Sequence, residues 1–287
     1  MKELYERYRM LLYTLAYQLT GSAADAEDAV QDVFVKAADL DPQKLEHPKA
    51  YLCKMVTNRC LDLLRSARRR RERYFGPWLP EPVSTAEPDE FEAVVRSDLL
   101  SYAMLVLMDR LTPAERAVFV LREALGFDYP DIAGLTGKRE ANCRKLMSRA
   151  RGKMGISEDE PIDAEPASEE WVRRFMAALL EGRAETILSL LAEDAVIVSD
   201  GGGKAIAAAV PVETRSRALR FLLGLSRLAG NYPGGTDIDF SEINGQTGIV
   251  VRSAGEVIAV ALPQIAAGEL TRLYVVRNPD KLLRFQQ

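Results

Sequence analysis

Two segments rich in proline and acidic residues limit what this chain can fold into. Residues 76–88 read GPWLPEPVSTAEP and residues 155–166 read GISEDEPIDAEP, without helical periodicity in either. Because proline interrupts helices and the interior of sheets, no regular element should run through them. The sequence therefore predicts three folded parts joined by two linkers: residues 1–75, 98–155 and 167–287, with linkers at 76–97 and 156–166.

The charges follow the same division. The formal net charge of the whole chain is -4, but residues 1–75 and 98–155 each carry +3, whereas residues 76–97 carry -4 and residues 156–287 carry -6. Basic segments within an acidic chain are typical of proteins that contact a polyanion. The first two parts are therefore candidates for nucleic-acid binding.

Composition argues against several classes of protein. No run approaches the roughly 20 apolar residues of a membrane span, and the N-terminal MKE is polar, which predicts a cytoplasmic location. Cys53, Cys60 and Cys143 form no CxxC pair and lie beside no histidine at metal-ligand spacing. We therefore expect reduced structural thiols, no metal and no other cofactor.

Apolar residues at three- and four-residue steps predict helices in the first part. Gly21 ends the first helix and Ser22 can cap the second, whose buried face leaves Asp28, Gln31 and Asp32 toward solvent or a partner. The apolar stripe predicted for the first helix consists of Tyr5, Tyr8, Leu12, Leu15 and Leu19.

A third helix, predicted to begin at Pro48, has an informative polar face. Lys54, Asn58, Asp62 and Arg65 share one side of it, and the helix continues into an arginine run that includes Arg69. Such a run either contacts phosphates or forms a solvated helix end, and this helix alone does not decide between them.

The second part predicts a helix-turn-helix. Thr112, Pro113 and Glu115 form a capping box at a helix start, a short helix follows, and a turn at Gly137 leads into a last helix from about Arg139. A generic helical hairpin accounts for the apolar spacing but not for the basic outer face of the last helix. The outward side chains are Lys138, Asn142, Lys145, Ser148 and Arg149.

Several strings resemble a known family. DAEDAVQDVF (25–34), YLCKMVTNRCLDLLRSARRR (51–70), LTPAERAVFVLRE (111–123) and SRAR (148–151) resemble the two domains of extracytoplasmic-function sigma factors of the sigma-70 family. The resemblance implies that the first domain binds the clamp helices of the RNA polymerase β′ subunit and melts the promoter -10 element. It implies that the second reads the -35 element beside the β flap, so the expected partners are RNA polymerase core and promoter DNA.

The resemblance also assigns roles to residues. Polymerase binding falls on Asp28, Gln31 and Asp32, and -35 binding falls on Lys138, Asn142, Lys145, Ser148 and Arg149. Asn58, Asp62 and Arg65 match the family pattern NxxxDxxR, so -10 binding falls on them together with Arg69 and with His47, in the loop that would hold a displaced base. Tyr51 stands where the family commonly has tryptophan, a departure that leaves an aromatic side chain at this position.

The third part predicts an α+β cone. We expect helices at 168–181, 184–191 and 215–228, a short strand at 195–199 and several strands between Asp237 and Val276, giving a curved antiparallel sheet against helices. This order resembles the SnoaL-like, nuclear-transport-factor-type fold. Its sheet can enclose a small-molecule ligand, although no sequence feature names one.

Three motifs match one subgroup of these sigma factors, the SigJ type with a fused SnoaL-like extension: WLPEP, DGGGK and NPDKL. In that subgroup the extension regulates sigma activity in place of a separate anti-sigma factor. The regulatory contacts then fall on Trp78, Leu79, Pro80, Glu81, Pro82, Asp200, Gly201, Gly202, Gly203, Lys204, Asn278, Pro279 and Asp280. The motifs can instead be a stiff spacer, a loose turn and a strand end; the apolar Trp78 and Leu79 in a polar linker favour the contact role.

Two other functions are compatible with parts of the sequence. Relatives of the cone fold include isomerases, which need a general base in an apolar pocket, but Asp200, Tyr232 and Asp239 are as easily turn or surface residues and His47 lies in another part. A DNA-binding repressor would use the helix-turn-helix but not the NxxxDxxR helix. The sequence therefore predicts a sigma factor that is not an enzyme, and dependence on core polymerase separates it from a repressor.

Overall fold

A computed structural model of the protein describes residues 2–38, 45–71, 74–85, 101–156, 167–232 and 234–286, without the side chains of 67–71. These residues form two compact units. The first contains the described residues up to 71 together with 104–156, and the second contains 74–85, 101–103 and the described residues from 167 onward. The linker segment 74–85 therefore belongs to the same unit as the C-terminal part of the chain.

The first unit is helical, as predicted. It contains two modules that we call the first helical module, residues 2–71, and the second helical module, residues 104–156. The helices are α1 (Lys2–Thr20), α2 (Ala23–Ala37), α3 (Pro48–Arg71), α4 (Tyr102–Leu107, whose first two residues are counted with the second unit, followed by a 3₁₀ turn at Met108–Arg110), α5 (Pro113–Glu123), α6 (Tyr129–Thr136) and α7 (Glu140–Met154).

Local capping sets where these helices begin. The Ser22 hydroxyl accepts the N–H of Asp25 at 3.2 Å, which caps α2. In the capping box of α5, Thr112 Oγ1 accepts the Glu115 N–H at 3.4 Å and Glu115 Oε2 accepts the Thr112 N–H at 2.8 Å. Gly137, at φ 65°, makes the left-handed turn between α6 and α7. These signals were readable in the sequence because each depends only on neighbours along the chain.

The predicted apolar stripe of α1 is buried in its middle but not at its start. Leu12, Leu15 and Leu19 are fully buried. Tyr5, expected on the same stripe, is 42% exposed, so that part of the prediction is wrong. Its ring packs edge-on against Phe34 at a centroid distance of 4.9 Å, where a groove opens between α1 and α2. Helical periodicity gives the face of a residue but not whether another element covers it.

The second unit is an α+β fold, as predicted, with one six-stranded sheet in the order β2-β1-β6-β5-β4-β3. Its elements are α8 (Glu169–Leu180), α9 (Ala184–Leu190), β1 (Leu191–Asp200), β2 (Val212–Glu213), α10 (Arg215–Ala229), β3 (Asp237–Ile243), β4 (Gln246–Ser253), β5 (Glu256–Ala266) and β6 (Glu269–Val276), then 3₁₀ turns at Pro279–Lys281 and Leu283–Phe285.

The sheet is mixed, and in this it differs from the antiparallel sheet expected. Four neighbouring pairs are antiparallel, but β1 pairs in parallel with β6. The long connection between these strands allows the chain to return in the same direction. Strand β1 is also longer than the predicted 195–199, and β2 has only two residues, too few to produce a sequence signal.

The two faces of the sheet pack against different parts of the second unit. Leu273 and Val275 of β6 belong to the hydrophobic core beneath α8 and α10, with Phe175 and Leu222. Because side chains alternate along a strand, Tyr274 points to the opposite face, where its ring packs 5.6 Å from that of Tyr102. This opposite face is where the linker segment docks. Among the described helices, none is long and apolar enough to cross a membrane.

Candidate nucleic-acid interface and linker site

The polar face of α3 is exposed along its length. Asn58, Asp62 and Arg65 all reach solvent, and the Arg65 guanidinium is 2.7 Å from Asp62 Oδ1. On the other side of the helix, Leu52 and Val56 are fully buried. The structure therefore presents the predicted -10 residues on one accessible surface, while the side chain of Arg69 lies outside the described residues. Their role in DNA binding stays a prediction.

His47 immediately precedes α3 and is exposed. It lines a cleft of about 560 Å³ together with Tyr51 and Lys54 of α3 and with Phe127 and Asp131 of the second helical module. The cleft is where the sequence predicts a displaced base.

The outer face of α7 has the predicted composition. Its inner face is buried, and Lys145, Ser148 and Arg149 are exposed together with Asn142. Lys138, just before the helix, is only partly exposed. Four of the five predicted -35 residues therefore have side chains outside the helical core, and a recognition helix needs such accessible side chains to contact DNA.

The predicted polymerase-binding residues lie on α2. Asp28 and Gln31 are exposed, whereas Asp32 is half-buried and forms an ion pair with Arg59 of α3, with 2.7 Å between Oδ2 and Nε. Gln31 also lines the groove of about 640 Å³ between α1 and α2, next to the 65% exposed Val35. This surface combines polar groups with uncovered apolar area, a composition typical of a protein-binding site.

The two helical modules touch each other directly. Helices α1 and α3 pack against α5, and α3 also packs against α6. At the centre, Arg116 of α5 is 2% exposed, and its Nε donates to the Gln18 carbonyl of α1 at 3.2 Å. Asn58 and Lys138 line the same cleft at the edge of this contact. Residues predicted to read two separate DNA elements therefore lie beside one another.

The thiols of Cys53 and Cys60 are buried and have low reactivity. Burial, reinforced by the nearby Asp25 carboxylate, raises the pKa of Cys60 to about 12. Burial also raises the pKa of Cys53 to about 11. Thiols with such pKa values are poor nucleophiles and poor metal ligands at neutral pH. In the described part of the chain, no cluster of histidine, cysteine or carboxylate side chains is suited to a metal ion.

A buried carboxylate gathers the linker in the second unit. Asp200, at the end of β1, is 0% exposed. Its Oδ1 accepts the Tyr74 hydroxyl at 2.6 Å and the Gly202 N–H at 3.0 Å. Its Oδ2 accepts the Leu79 N–H at 2.9 Å and Lys281 Nζ at 2.6 Å. These four bonds use the full acceptor capacity of the carboxylate.

Lys281 and Asn278 complete this arrangement. Lys281 Nζ also donates to the Leu79 carbonyl and lies 4.2 Å from the centroid of the Trp78 ring. Asn278 Nδ2 donates to the Tyr74 hydroxyl at 2.8 Å. We call this cluster the linker latch, and its members are Tyr74, Leu79, Asp200, Gly202, Asn278 and Lys281.

The latch keeps Tyr74 protonated. Burial, the hydrogen bond to Asp200 and the negative charge of that carboxylate raise the pKa of the Tyr74 hydroxyl far above its ordinary value. The hydroxyl can therefore donate to Asp200 while it accepts from Asn278, and both bonds persist over the whole physiological pH range.

The glycines of DGGGK are required by space. A Cβ on Gly202 would overlap the Asn278 carboxamide, and Gly202 has φ +59°. A Cβ on Gly201 would overlap the carbonyl oxygen of Ala205. These contacts exclude the alternative that the motif is a loose turn, because the backbone here must approach NPDKL closely.

The remaining motif residues flank the latch. Gly203 has φ +71° and is exposed. Lys204 and Asp280 form an exposed ion pair at 2.6 Å that links DGGGK with NPDKL. Pro279 opens a 3₁₀ turn that Asn278 Oδ1 caps by accepting the Asp280 N–H at 3.1 Å. The structure thus brings the two C-terminal motifs together.

The WLPEP segment is packed against the C-terminal part of the unit. Leu79 is fully buried, and Pro80, Glu81 and Pro82 are buried as well. The Pro80 carbonyl accepts the Tyr102 hydroxyl at 2.7 Å, and Glu81 lies 3.5 Å from the Arg284 guanidinium. WLPEP is therefore a docked segment and not a free spacer.

Beyond WLPEP, the linker continues along the β3–β4 turn. The Asn244 side chain accepts the Val83 N–H at 3.0 Å, and the Glu242 carbonyl accepts the Thr85 N–H at 2.8 Å. The residue list predicted from the sequence lacked Asn244, Tyr74 and Lys281. Two sequence features could have indicated them: Lys281 lies inside the NPDKL motif, and Tyr74 lies just before the linker.

The candidate catalytic residues are not brought together. Asp200 is occupied in the latch, and Tyr232 contacts Arg277, whose Nη2 donates to its hydroxyl at 2.6 Å. Asp239 is 63% exposed and lies 3.5 Å from the Arg252 guanidinium. This geometry offers no shared site for a general base and a substrate.

Comparison with known proteins identifies the two helical modules. Residues 4–70 match Sigma-70 region 2, and residues 101–154 match Sigma-70 region 4. The chain is 36% identical to the ECF RNA polymerase sigma factor SigJ of Mycobacterium tuberculosis, over 96% of this chain and 91% of the relative. It is 29% identical to the probable ECF sigma factor SigI of the same species, over 96% and 92%.

A solved structure extends the comparison to the fold. The crystal structure of Mycobacterium tuberculosis SigJ covers 98% of this chain and 98% of its own, at 32% identity and a TM-score of 0.80. With both sigma regions matched and nearly the whole chain aligned to a relative above 30% identity, the protein belongs to the extracytoplasmic-function sigma factors, which direct RNA polymerase core to specific promoters and initiate transcription.

Proposed function

We propose that this sigma factor is restrained by its own C-terminal domain, which captures the linker between regions 2 and 4 in the latch. In this state the two regions stay packed on each other and cannot engage a promoter. Release of the linker frees them to separate and bind. Region 2 here is the first helical module, and region 4 is the second.

In the released state, the exposed face of α3 reads the -10 element. Asn58, Asp62 and Arg65 contact the DNA, and the cleft beside His47 and Tyr51 holds a displaced base. The accessibility of this face supports the proposal, as does the shape of the cleft. A tyrosine can stack on a base much as a tryptophan does, so the departure at Tyr51 is compatible with this role.

The α7 helix reads the -35 element in the major groove. Asn142 and Ser148 have the hydrogen-bonding groups that contact base edges, whereas Lys138, Lys145 and Arg149 suit phosphates as well as guanine. Their exposure on one side of a helix that follows a tight turn supports this assignment.

Polymerase binds at the α1–α2 surface. Asp28 and Gln31 supply polar contacts, and the neighbouring groove with its exposed Val35 accepts apolar side chains from the β′ clamp helices. Region 4 meets the β flap. Such a groove beside charged residues is the form that helix recognition takes in many complexes.

The direct contact between the regions argues for a restrained state. Elements near -10 and -35 are about 25 base pairs apart, or roughly 85 Å along B-DNA at 3.4 Å per base pair. Regions whose helices α3 and α6 touch cannot place their DNA faces at that separation. Promoter binding therefore requires the contact around Arg116 to open.

The linker decides whether the regions can separate. Residues 72–101 connect α3 to α4, and a chain of this length reaches roughly 100 Å when fully extended at about 3.4 Å per residue. That reach is sufficient for the promoter only if the linker is extended. Docking of residues 74–85 in the second unit removes a large part of it.

The observation that carries the proposal is the capture of the linker by Asp200. A buried carboxylate with four donors from three separate segments is costly to assemble and is kept only if the segments stay together. The linker therefore stays bound in the latch until one of these hydrogen bonds is lost.

The test is transcription in vitro with core RNA polymerase, comparing the full chain with Leu79→Asp. A carboxylate at the fully buried Leu79 expels the linker from the latch without altering either sigma region. The matched control is Phe75→Asp, which introduces the same charge in the same linker at a position that is 69% exposed.

We expect Leu79→Asp to raise promoter-specific transcription at least several-fold and Phe75→Asp to leave it unchanged. Equal or lower activity of Leu79→Asp, with both variants folded and bound to core polymerase, would overturn the restraint. Failure of every variant to bind core polymerase would instead count against the polymerase surface proposed on α1 and α2.

A further inference from the structure

We infer that the C-terminal domain binds an apolar monocarboxylate in a cavity between its helices and its sheet, and that Arg277 links this cavity to the linker latch. The binding site stands on its own geometry. The coupling rests on the proposed restraint by the linker, so the two are tested separately below.

The cavity lies between α8, α10 and the sheet and has a volume of about 120 Å³. Its wall is almost wholly aliphatic and aromatic, with Phe175, Leu222, Ile249, Ala261 and Leu273 among the lining residues. Cavities with apolar walls stay empty of water, and one of about 150 Å³ accommodates benzene. The space therefore suits a small apolar group of at most about six carbons.

The rim of the cavity is apolar and accessible. Leu180 at the end of α8 is 57% exposed, and Leu228 at the end of α10 is 46% exposed, and both line the cavity. Exposed leucines at the mouth of an apolar space cost solvation energy that a bound ligand would recover. This arrangement gives a ligand a path into the domain.

Arg277 is the charged residue among those that line the cavity. Its Nη2 donates to the Tyr232 hydroxyl at 2.6 Å and its Nη1 to the Ile206 carbonyl at 2.6 Å. Within the part of the chain that the structure describes, these are its side-chain partners, and a guanidinium has five donors in a planar fork. A carboxylate is the group that this fork recognises best.

The same residue is joined to the latch through the backbone. The N–H groups of Arg277 and Asn278 both donate to the Asp200 carbonyl, at 2.7 and 2.9 Å. Directly after the end of β6, Arg277 lines the cavity whereas the Asn278 side chain donates to Tyr74. A single backbone segment therefore carries one residue of the cavity and one residue of the latch.

The Ile206 carbonyl completes the connection. It closely follows the DGGGK loop, whose Gly202 donates to Asp200. A ligand carboxylate that engages the Arg277 guanidinium competes with this carbonyl for the same donors. Binding should then loosen residues 201–206 and lower the stability of the latch.

Binding is tested by calorimetry and by methyl NMR of the full chain, with benzoate and hexanoate as probes and toluene as the uncharged analogue. Ala261→Leu fills the cavity. Arg277→Met removes the charge but keeps an apolar stem, and Arg220→Met on the exposed side of α10 is its control. Thermal unfolding confirms that each variant is folded.

We expect one or both carboxylates to bind the wild-type chain and Arg220→Met equally. Ala261→Leu should abolish binding, and Arg277→Met should weaken carboxylate binding at least tenfold while toluene binding persists. Absence of binding by both carboxylates, or binding that Ala261→Leu leaves intact, would overturn the site whatever the outcome for the linker.

The coupling is read from hydrogen exchange of the Leu79 amide at saturating probe. Exchange at least fivefold faster than without probe is the expected result. Unchanged exchange in a chain that binds the probe would overturn the coupling and leave the site standing. The proposed restraint is judged independently, because transcription by Leu79→Asp needs no ligand.

Discussion

The polar residues that we single out in the two units differ in solvent exposure and in hydrogen bonding. On α3 and α7, Asn58, Arg65 and Lys145 are exposed and have little contact with the rest of their unit. In the second unit, Asp200 and Asn278 are buried at 0% and 4% exposure and bonded on all sides. The exposed polar groups of α3 and α7 are available to a binding partner, whereas the buried ones of the second unit form hydrogen bonds within the same chain.

This difference has an energetic meaning. An exposed side chain costs folding little, so a recognition face can be kept for a partner that is absent. A buried charge is tolerated only when its hydrogen bonds are complete, so removing one partner is expensive. Substitutions on the recognition faces should therefore change binding, and substitutions in the latch should change stability and linker release.

The largest effect is expected for Asp200→Ala. Removal of the carboxylate leaves the charge of Lys281, which is 12% exposed, buried without its main counter-ion, and should lower the free energy of unfolding of the second unit by about 3–5 kcal/mol. Urea denaturation monitored by tryptophan fluorescence measures this.

Asp280→Ala is the matched control for that experiment. It removes a carboxylate of the neighbouring motif whose partner Lys204 is 56% exposed, and a surface pair of this kind contributes about 0–1 kcal/mol. Equal losses for Asp200→Ala and Asp280→Ala would contradict the distinction between buried and exposed charges.

Arg116→Leu sharpens the comparison, because Arg116 is a buried charge in the unit whose predicted recognition residues are exposed. Loss of its hydrogen bond to the Gln18 carbonyl should destabilise the first unit by about 2–3 kcal/mol. The contact between regions 2 and 4 should also loosen, which fluorescence energy transfer between dyes on α2 and α7 would detect. Arg149→Leu, on the exposed face, should change neither quantity; a wider separation in that control would refute the role of Arg116.

Lys145→Ala tests an exposed recognition residue. We expect unfolding to be unaffected and binding to a -35 duplex to weaken by about 1 kcal/mol, with a decrease of about 1 in the slope of log K against log salt concentration. Fluorescence anisotropy across a salt series measures both. Arg174→Ala, an exposed arginine of α8, is the control, and an equal loss there would mean that Lys145 acts only through net charge.

The smallest effect concerns the buried carboxylate of the α5 capping box. Burial raises the pKa of Glu115, but the hydrogen bonds from Lys153 and Thr112 outweigh it and the net pKa is lowered. A carboxylate with a lowered folded pKa adds stability above its unfolded value of about 4.3, and this stability is lost as the pH falls through the folded pKa.

Glu115→Gln should therefore reduce stability by about 1 kcal/mol at pH 7 and flatten its decline between roughly pH 5 and 3. Urea midpoints across that range measure the effect. Glu140→Gln, at an exposed carboxylate of α7, is the control for the loss of one negative charge. A Glu115→Gln profile parallel to wild type would show that the capping carboxylate does not titrate differently on folding.

Sequence reasoning succeeded where a structure depends on near neighbours. The face shared by Asn58, Asp62 and Arg65 follows from helical spacing, and the caps at Ser22 and Thr112 involve residues three positions apart. It failed where distant segments meet. Periodicity placed Tyr5 on the correct side of α1, but whether another element covers that side is a tertiary matter.

The latch shows the same limit. The three motifs were recognisable as strings, and the structure brings them together in the second unit. Which atoms meet could not be read, because Tyr74 and Asp200 are 126 residues apart and Lys281 bonds Leu79 across 202 residues. Nothing local to Asn244 marks it as a partner of the distant linker.

The sequence by itself determined the helices, their caps and the polar faces of α3 and α7. Each of these depends on backbone hydrogen bonds and side-chain spacing within about one or two helical turns. The tertiary structure alone decided the parallel pairing of β1 with β6, the contact of Arg116 with Gln18 and the burial of Asp200. These require segments far apart in the chain to exclude water together, and that depends on the packing of the whole unit.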